Sequence, residues 1–133
     1  MRIHSSIKVR GYHLDMFRHV NNARYLEFLE EGRWAYFDAN PQFFYRLRGV
    51  TFFVVNININ YRRPASLGDM LDVQTRLSKI GNNSGVLRQE IYNAKTEDLI
   101  VDADITFVIA DAKTQIPLNL KELFNDVISD LIN

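Results

Sequence analysis

The sequence predicts an α+β domain in which a five-stranded antiparallel sheet wraps around one long central helix, with a further helix at the C-terminal end. Three observations predict it. A proline-free helical stretch runs from Ala23 to about Asp38, four segments with apolar residues at every second position follow it, and 133 residues suffice for one domain, 1–133. One long helix ahead of consecutive strands is the order of an α+β layer, not of alternating βαβ units.

Residues Ser5 to Tyr12 read as the first strand, because Ile7 and Val9 alternate with Lys8 and Arg10. Polar residues then break the period. Asn21 or Asn22 is placed to cap a helix, since a short amide side chain accepts from an otherwise unpaired N–H of the first turn. The helix that follows is about 24 Å long at ~1.5 Å per residue. Tyr25, Leu26, Phe28, Leu29, Ala35 and Phe37 spread apolar surface around much of its circumference, as expected of a helix wrapped by a sheet. Its glycine, Gly32, costs about 1 kcal/mol relative to alanine, and the acidic run Glu27, Glu30 and Glu31 marks a solvated edge.

After Pro41 a short helix over Gln42 to Leu47 carries Phe43, Phe44 and Tyr45 and stops near Gly49. From Thr51 to Arg63, simple alternation puts Phe53, Val55, Ile57, Ile59 and Tyr61 on one face and Asn56, Asn58, Asn60 and Arg62 on the other. The asparagine face is expected to meet solvent or another subunit. Pro64 ends that strand, a turn at Leu67-Gly68-Asp69 leads into a strand over Met70 to Ser78, and the loop Gly81 to Gly85 joins it to Val86 to Asn93. The last strand points Leu99, Val101, Ala103, Ile105, Phe107 and Ile109 inward, with Asp102, Asp104 and Thr106 on the wet face. Asn119 is expected to cap one amphipathic helix running through Leu120, Leu123, Phe124, Val127, Ile128 and Leu131.

Composition removes several function classes. With 16 basic and 16 acidic side chains, the chain lacks the charge excess that draws proteins to nucleic acid or anionic membranes. It has no cysteine, which excludes disulfides, thiolate metal sites and a cysteine nucleophile. The three histidines His4, His13 and His19 do not have the spacing of a helix-borne zinc site, and no G-x-S-x-G elbow, G-x-G-x-x-G or Walker loop occurs. No apolar run is long enough to span a bilayer, and the N-terminus lacks a signal-peptide core, so a soluble cytoplasmic protein is expected.

The segment YHLDMFRHVNNARYLEFLEE places the carboxylate of Asp15 in a short polar loop that runs straight into the long helix. A carboxylate there stands beside unpaired N–H groups and the partial positive charge of a helix N-terminus, which together suit the attack on a carbonyl and the stabilisation of the oxyanion that forms. The spacing Asp15, His19, Asn21, Asn22 and Tyr25, with the downstream VVNININYRRPA, resembles the hotdog-fold acyl-CoA thioesterases related to 4-hydroxybenzoyl-CoA thioesterase. Within that family the likeness is to the bacterial long-chain enzymes associated with fatty-acid β-oxidation.

The resemblance implies a hotdog fold, an acyl-CoA substrate, no metal, no cofactor, and a homodimer or homotetramer with joined sheets and active sites at the subunit boundary. It also implies that Asp15 attacks the thioester or activates water while the Asn22 amide polarises the carbonyl. His19 and Asn21 are assigned to positioning, and Tyr25 completes the motif. Coenzyme A phosphates need cationic or backbone donors; Lys79, Asn82, Asn83, Ser84 and Arg88 form one candidate set, Arg62 and Arg63 a second. The aromatic segment Phe43, Phe44, Tyr45, Phe52 and Phe53 is the candidate acyl-pocket wall. A non-catalytic acyl-CoA binding module on the same fold is the alternative, and a hotdog dehydratase lacks its histidine–carboxylate pattern here.

Overall fold

The computed structural model describes residues 1–132. Its strands are β1 (Arg2–Lys8), β2 (Val50–Tyr61), β3 (Met70–Ile80), β4 (Gly85–Asn93) and β5 (Leu99–Asp111), and its helices are α1 (Asn22–Ala39), α2 (Pro41–Tyr45), α3 (Leu120–Leu123) and α4 (Ile128–Ile132). The strands form one antiparallel sheet in the order β1-β3-β4-β5-β2. Because β1 and β2 are its two edges, α1 and α2 carry the chain across one face of the sheet from edge to edge, giving the α+β architecture expected.

The core lies between that face and α1. Val73, Leu77, Leu87, Ile91, Val101, Ile105 and Phe107 from the sheet and Leu29 and Tyr36 from the helix have no exposed surface, and burying each such side chain contributes roughly 1.5–3 kcal/mol. Gly32 has a physical reason here. A Cβ at that position would sit 2.7 Å from Val73 Cγ1, 2.8 Å from Gln89 Nε2 and 2.9 Å from Thr75 Oγ1, so only glycine lets the middle of α1 approach β3 and β4. Gln89, wholly buried, donates from Nε2 to Leu29 O and to Thr75 Oγ1, both at 2.8 Å, and ties the helix to the sheet at this point.

Four expectations need correction. β1 starts and ends earlier than the alternation of Ile7 and Val9 suggests, because the Arg10 N–H turns to donate to His13 Nδ1 at 2.9 Å and folds Gly11–His13 into a 3-10 turn. The ladder between β2 and β5 shifts register between Val54 and Asn56, leaving Val55 as a bulge. Phe52 and Val54 therefore pair opposite inward-facing Ile109 and Phe107, whereas Phe53 pairs with Val108 on the outer face. Asp102 lies on the outer face as expected but is withdrawn from water, being only 4% exposed. Finally, the C-terminal helix is two short pieces. Asn119 caps α3 by accepting from Glu122 N–H at 3.1 Å, but Val127 N–H then bonds back to Phe124 O and tightens the chain around the Phe124 ring, which stacks on Phe43 at 4.7 Å. Asn125 and Asp126, poor helix formers, occupy the turn, where Asp126 pairs with Arg46 at 2.6 Å.

Candidate active site

The polar loop before α1 is a tight hairpin. Leu14 and Val20 form a bridge, Asp15 N–H donates to His19 O at 2.9 Å, and Arg18 N–H returns to Asp15 O at 3.0 Å. The Asp15 side chain closes the turn, its Oδ1 accepting from Phe17 N–H at 2.8 Å and more weakly from His19 N–H at 3.4 Å. Among the described residues no donor engages the other carboxylate oxygen. The loop is bound on both sides, with Val20 N–H to Ala65 O and Asn21 N–H to His13 O, each at 2.9 Å.

Asn21 caps α1, accepting from Ala23 N–H at 3.0 Å through Oδ1, while its backbone oxygen accepts from Arg24 N–H at 2.8 Å. Ahead of those two satisfied donors, the Asn22 N–H has no acceptor among the described residues. The backbone oxygen of Asn22 accepts from the Tyr61 hydroxyl at 3.3 Å, which fixes the first residue of the helix against the end of β2. Tyr25, 2% exposed, accepts from Ala65 N–H at 3.3 Å, and burial pushes its phenol pKa up. It is thus a structural post under the loop. His19 presents an exposed ring and contributes to the hairpin through its backbone.

A cavity of about 430 Å³ opens here, with Asp15, His19, Asn22 and Tyr25 on one side and Tyr61, Arg62 and Arg63 on the other. The structure thus brings four of the five motif residues to one cavity with the arginine pair, while Asn21 caps the helix beside it. A second cavity of about 390 Å³ lies between α1 and β2, walled by Trp34, Phe37, Phe44, Leu47 and Phe52, with Glu30 and Arg33 at its edge. Both lie along one side of α1, since Asn22, Leu26, Glu30, Arg33 and Phe37 follow at three- or four-residue spacing.

The chain matches the family model described as thioesterase-like superfamily over residues 9–129. It belongs to that superfamily. Among curated relatives, it is 46% identical over 129 residues to the long-chain acyl-CoA thioesterase FadM of Escherichia coli, covering 96% of this chain and 98% of the relative. It is 29% identical over 117 residues to the acyl-CoA thioesterase YbgC of Helicobacter pylori, covering 83% and 87%. Among solved structures, the probable thioesterase YbaW from Escherichia coli superposes with a TM-score of 0.89 at 45% identity, covering 98% of this chain and 99% of that one.

For this thioesterase-like chain the remaining candidates separate. Lys79, Asn82, Asn83 and Ser84 end β3 or join it to β4, whereas the Asp15 hairpin lies at the Met70 end of β3, beyond the β1 residue Lys8 that pairs with Met70. β3 spans roughly 30 Å at ~3.3 Å per residue, so this set is not brought to the cavity. Arg88 is engaged on the outer sheet face, 3.3 Å from Asp104 and 3.7 Å from Asp102. Of the aromatic set, Phe44 and Phe52 line the second cavity; Phe43 is buried core against Phe107 and Phe124, and Phe53 faces the other side because of the bulge. Tyr61, Trp34 and Phe37 line these cavities as well, although the residue pattern of the motif alone marks none of them as a site residue. Tyr61 directly precedes Arg62-Arg63-Pro64, and Trp34 and Phe37 continue the helical spacing from Asn22, so the signal for these three was present.

Proposed function

We infer that the protein hydrolyses long-chain acyl-CoA to free fatty acid and coenzyme A, with Asp15 as nucleophile or general base and the Asn22 amide as the oxyanion donor. Acyl-CoA thioester hydrolysis is the activity named for its relatives in the superfamily, including one that matches it over nearly full length. One observation carries the residue roles: a carboxylate oxygen without a donor and a helix-opening amide without an acceptor, among the described residues, share a cavity.

The chemistry follows from that pairing. A thioester carbonyl placed with its oxygen at Asn22 N–H feels a hydrogen-bond donor and the positive end of α1, both aimed where charge develops. The free oxygen of Asp15 either attacks the acyl carbon directly, expelling coenzyme A as its thiolate and giving a mixed anhydride, or draws the proton from an attacking water and passes it to the departing sulfur; in the first route the water that cleaves the anhydride supplies the proton that completes the thiol. The bond from Phe17 N–H holds the other oxygen, so the carboxylate keeps its direction without being neutralised. His19 and Asn21 act by positioning, as hairpin member and cap. Arg62 and Arg63 serve the coenzyme A phosphates, and the cavity under Trp34 and Phe37 takes the acyl tail.

The working unit is assigned as a homodimer formed through β2, itself able to pair into a tetramer. β2 is an edge strand of 12 residues, VTFFVVNININY, with no charged residue to blunt it, and Phe53, Val54 and Val55 are 39%, 39% and 56% exposed. Such an edge is a template for pairing. Since acyl-CoA is an intracellular substrate, the reaction is assigned to the cytoplasm; no helix among the described residues is long and apolar enough to cross a membrane.

The test is thiol release from palmitoyl-CoA by the purified protein, run beside its sedimentation. Catalytic turnover by a species of at least twice the 15.5 kDa chain mass is expected. Tight binding of palmitoyl-CoA without thiol release would instead make it a binding module.

A further inference from the structure

Among the described residues, Asp102 is the one carboxylate of the outer sheet face withdrawn from water, 4% exposed in the middle of a solvated surface. Its partners account for that. Arg62 Nε donates to Oδ2 at 2.6 Å, Asn60 Nδ2 donates to Oδ1 at 3.0 Å, and Arg88 lies 3.7 Å from Oδ1 on the opposite side. Arg62 differs from its partner, because its side chain remains 53% exposed and the residue forms part of the wall of the cavity that holds Asp15. A guanidinium bonded through Nε keeps both terminal nitrogens available, in a plane set by the bond it already makes.

The backbone supports the same placement. Arg62 N–H and Arg63 N–H both donate to Ile100 O, at 2.8 and 3.2 Å, so the two arginines leave β2 anchored to β5, and Pro64 stops the ladder from continuing. Arg88, held between Asp102 and Asp104, braces the carboxylate from β4. Three strands therefore converge on one side chain whose exposed partner belongs to a residue lining the cavity of the site.

We propose that Asp102 is a positioning residue for substrate binding: it holds the Arg62 guanidinium, pre-oriented, at the cavity mouth, where Arg62 meets a phosphate of coenzyme A. This role rests on the thioesterase reading and adds to it a residue on the far face of the sheet that never touches substrate. Long side chains lose conformational freedom when they grip a ligand, a cost equivalent to roughly two- to tenfold in affinity for each one ordered. A carboxylate that has already ordered Arg62 removes that cost before acyl-CoA arrives.

The experiment is a double-mutant cycle of Asp102→Asn and Arg62→Gln, with each protein assayed on decanoyl-CoA and on S-decanoyl-pantetheine, which carries the same thioester and no phosphate. Asp102→Asn is expected to raise KM for decanoyl-CoA roughly fivefold, with the change in KM rather than kcat and little change in KM for the pantetheine ester. In the Arg62→Gln background the second substitution should add almost nothing. Should Asp102→Asn prove insoluble, Arg62→Lys gives the same decision: it keeps the charge but loses the Nε donor, and a raised KM for decanoyl-CoA is expected. Equal KM changes on both esters, additive effects in the cycle, or an Arg62→Lys protein with unaltered KM would overturn the role. Thiol release from neither ester by the unsubstituted protein would remove the thioesterase reading, and this role with it.

Discussion

Gly32→Ala tests the contact that sets the position of α1 and thereby of its first amide. An ordinary carbon contact lies at about 3.5–4.0 Å, whereas the new methyl would meet Val73 Cγ1 at 2.7 Å and Thr75 Oγ1 at 2.9 Å. Both belong to β-branched side chains with little rotamer freedom, so α1 or the sheet must move by several tenths of an ångström. The third neighbour, Gln89 Nε2 at 2.8 Å, could swing away only by giving up its bonds to Leu29 O and Thr75 Oγ1. Overpacking costs about 1–3 kcal/mol, and each lost buried hydrogen bond about 1 kcal/mol. Alanine returns about 1 kcal/mol through helix propensity. With both bonds lost, the net expectation is destabilisation of about 2–4 kcal/mol, read by urea denaturation at one fixed protein concentration so that oligomer linkage cancels. Thiol release should also fall, because a displaced helix moves the Asn22 amide away from Asp15. A Gly32→Ala protein as stable as the parent would refute the close-approach account of this glycine.

Three further outcomes follow from particular residues. The Tyr36 hydroxyl is buried without a partner among the described residues, and desolvation raises its pKa; Tyr36→Phe should therefore increase stability by about 1 kcal/mol in the same denaturation assay, and a loss would mean the hydroxyl is paired in solution. His13 accepts from Arg10 N–H through Nδ1, and burial, with Arg24 and Arg10 opposing Glu27, pushes its pKa below the ordinary 6.5. The folded state thus prefers the neutral ring, so this stability is complete above 6.5 and is lost as pH falls through the lowered value; His13→Gln should flatten the stability profile on the acid side of 6.5, and an unaltered profile would contradict the assignment. In an acyl-CoA chain-length series, affinity should rise roughly fourfold per methylene, from about 0.8 kcal/mol each, until the tail fills the cavity under Trp34, and Trp34→Ala should weaken the long esters alone; equal weakening of short and long esters would place the tail elsewhere.

Much of the fold was legible because period and punctuation agree. The helix from Ala23, the cap at Asn21 or Asn22, and the alternation of β3, β4 and β5 all appear where the residue pattern puts them. What escaped depends on pairing across the sheet. A bulge at Val55 reverses the faces of Phe52 and Phe53, and the hydrophobic pattern there, Phe-Phe-Val-Val, fits either phase. Asp102 reads as solvent-facing from its own strand, since only the neighbouring strands bring Asn60, Arg62 and Arg88 over it. Phe124 ended the C-terminal helix through a stacking partner 81 positions away, Phe43, which no local window contains. The first motif was readable because all its members lie within one hairpin and one helical turn. Candidate coenzyme A contacts were not, because residues such as Lys79 and Arg62 gain meaning only from which end of the sheet they occupy.

In the proposed mechanism the Asp15 carboxylate acts on a thioester whose oxygen rests on the Asn22 amide. Its most direct test is the single-turnover rate of Asp15→Asn on palmitoyl-CoA, measured beside the parent protein with circular dichroism establishing an equal fold. Removal of one oxyanion donor alone costs roughly 100- to 1,000-fold in hydrolases, and loss of the attacking or proton-abstracting group is expected to cost at least as much. A folded Asp15→Asn protein that cleaves palmitoyl-CoA within tenfold of the parent rate would contradict the account.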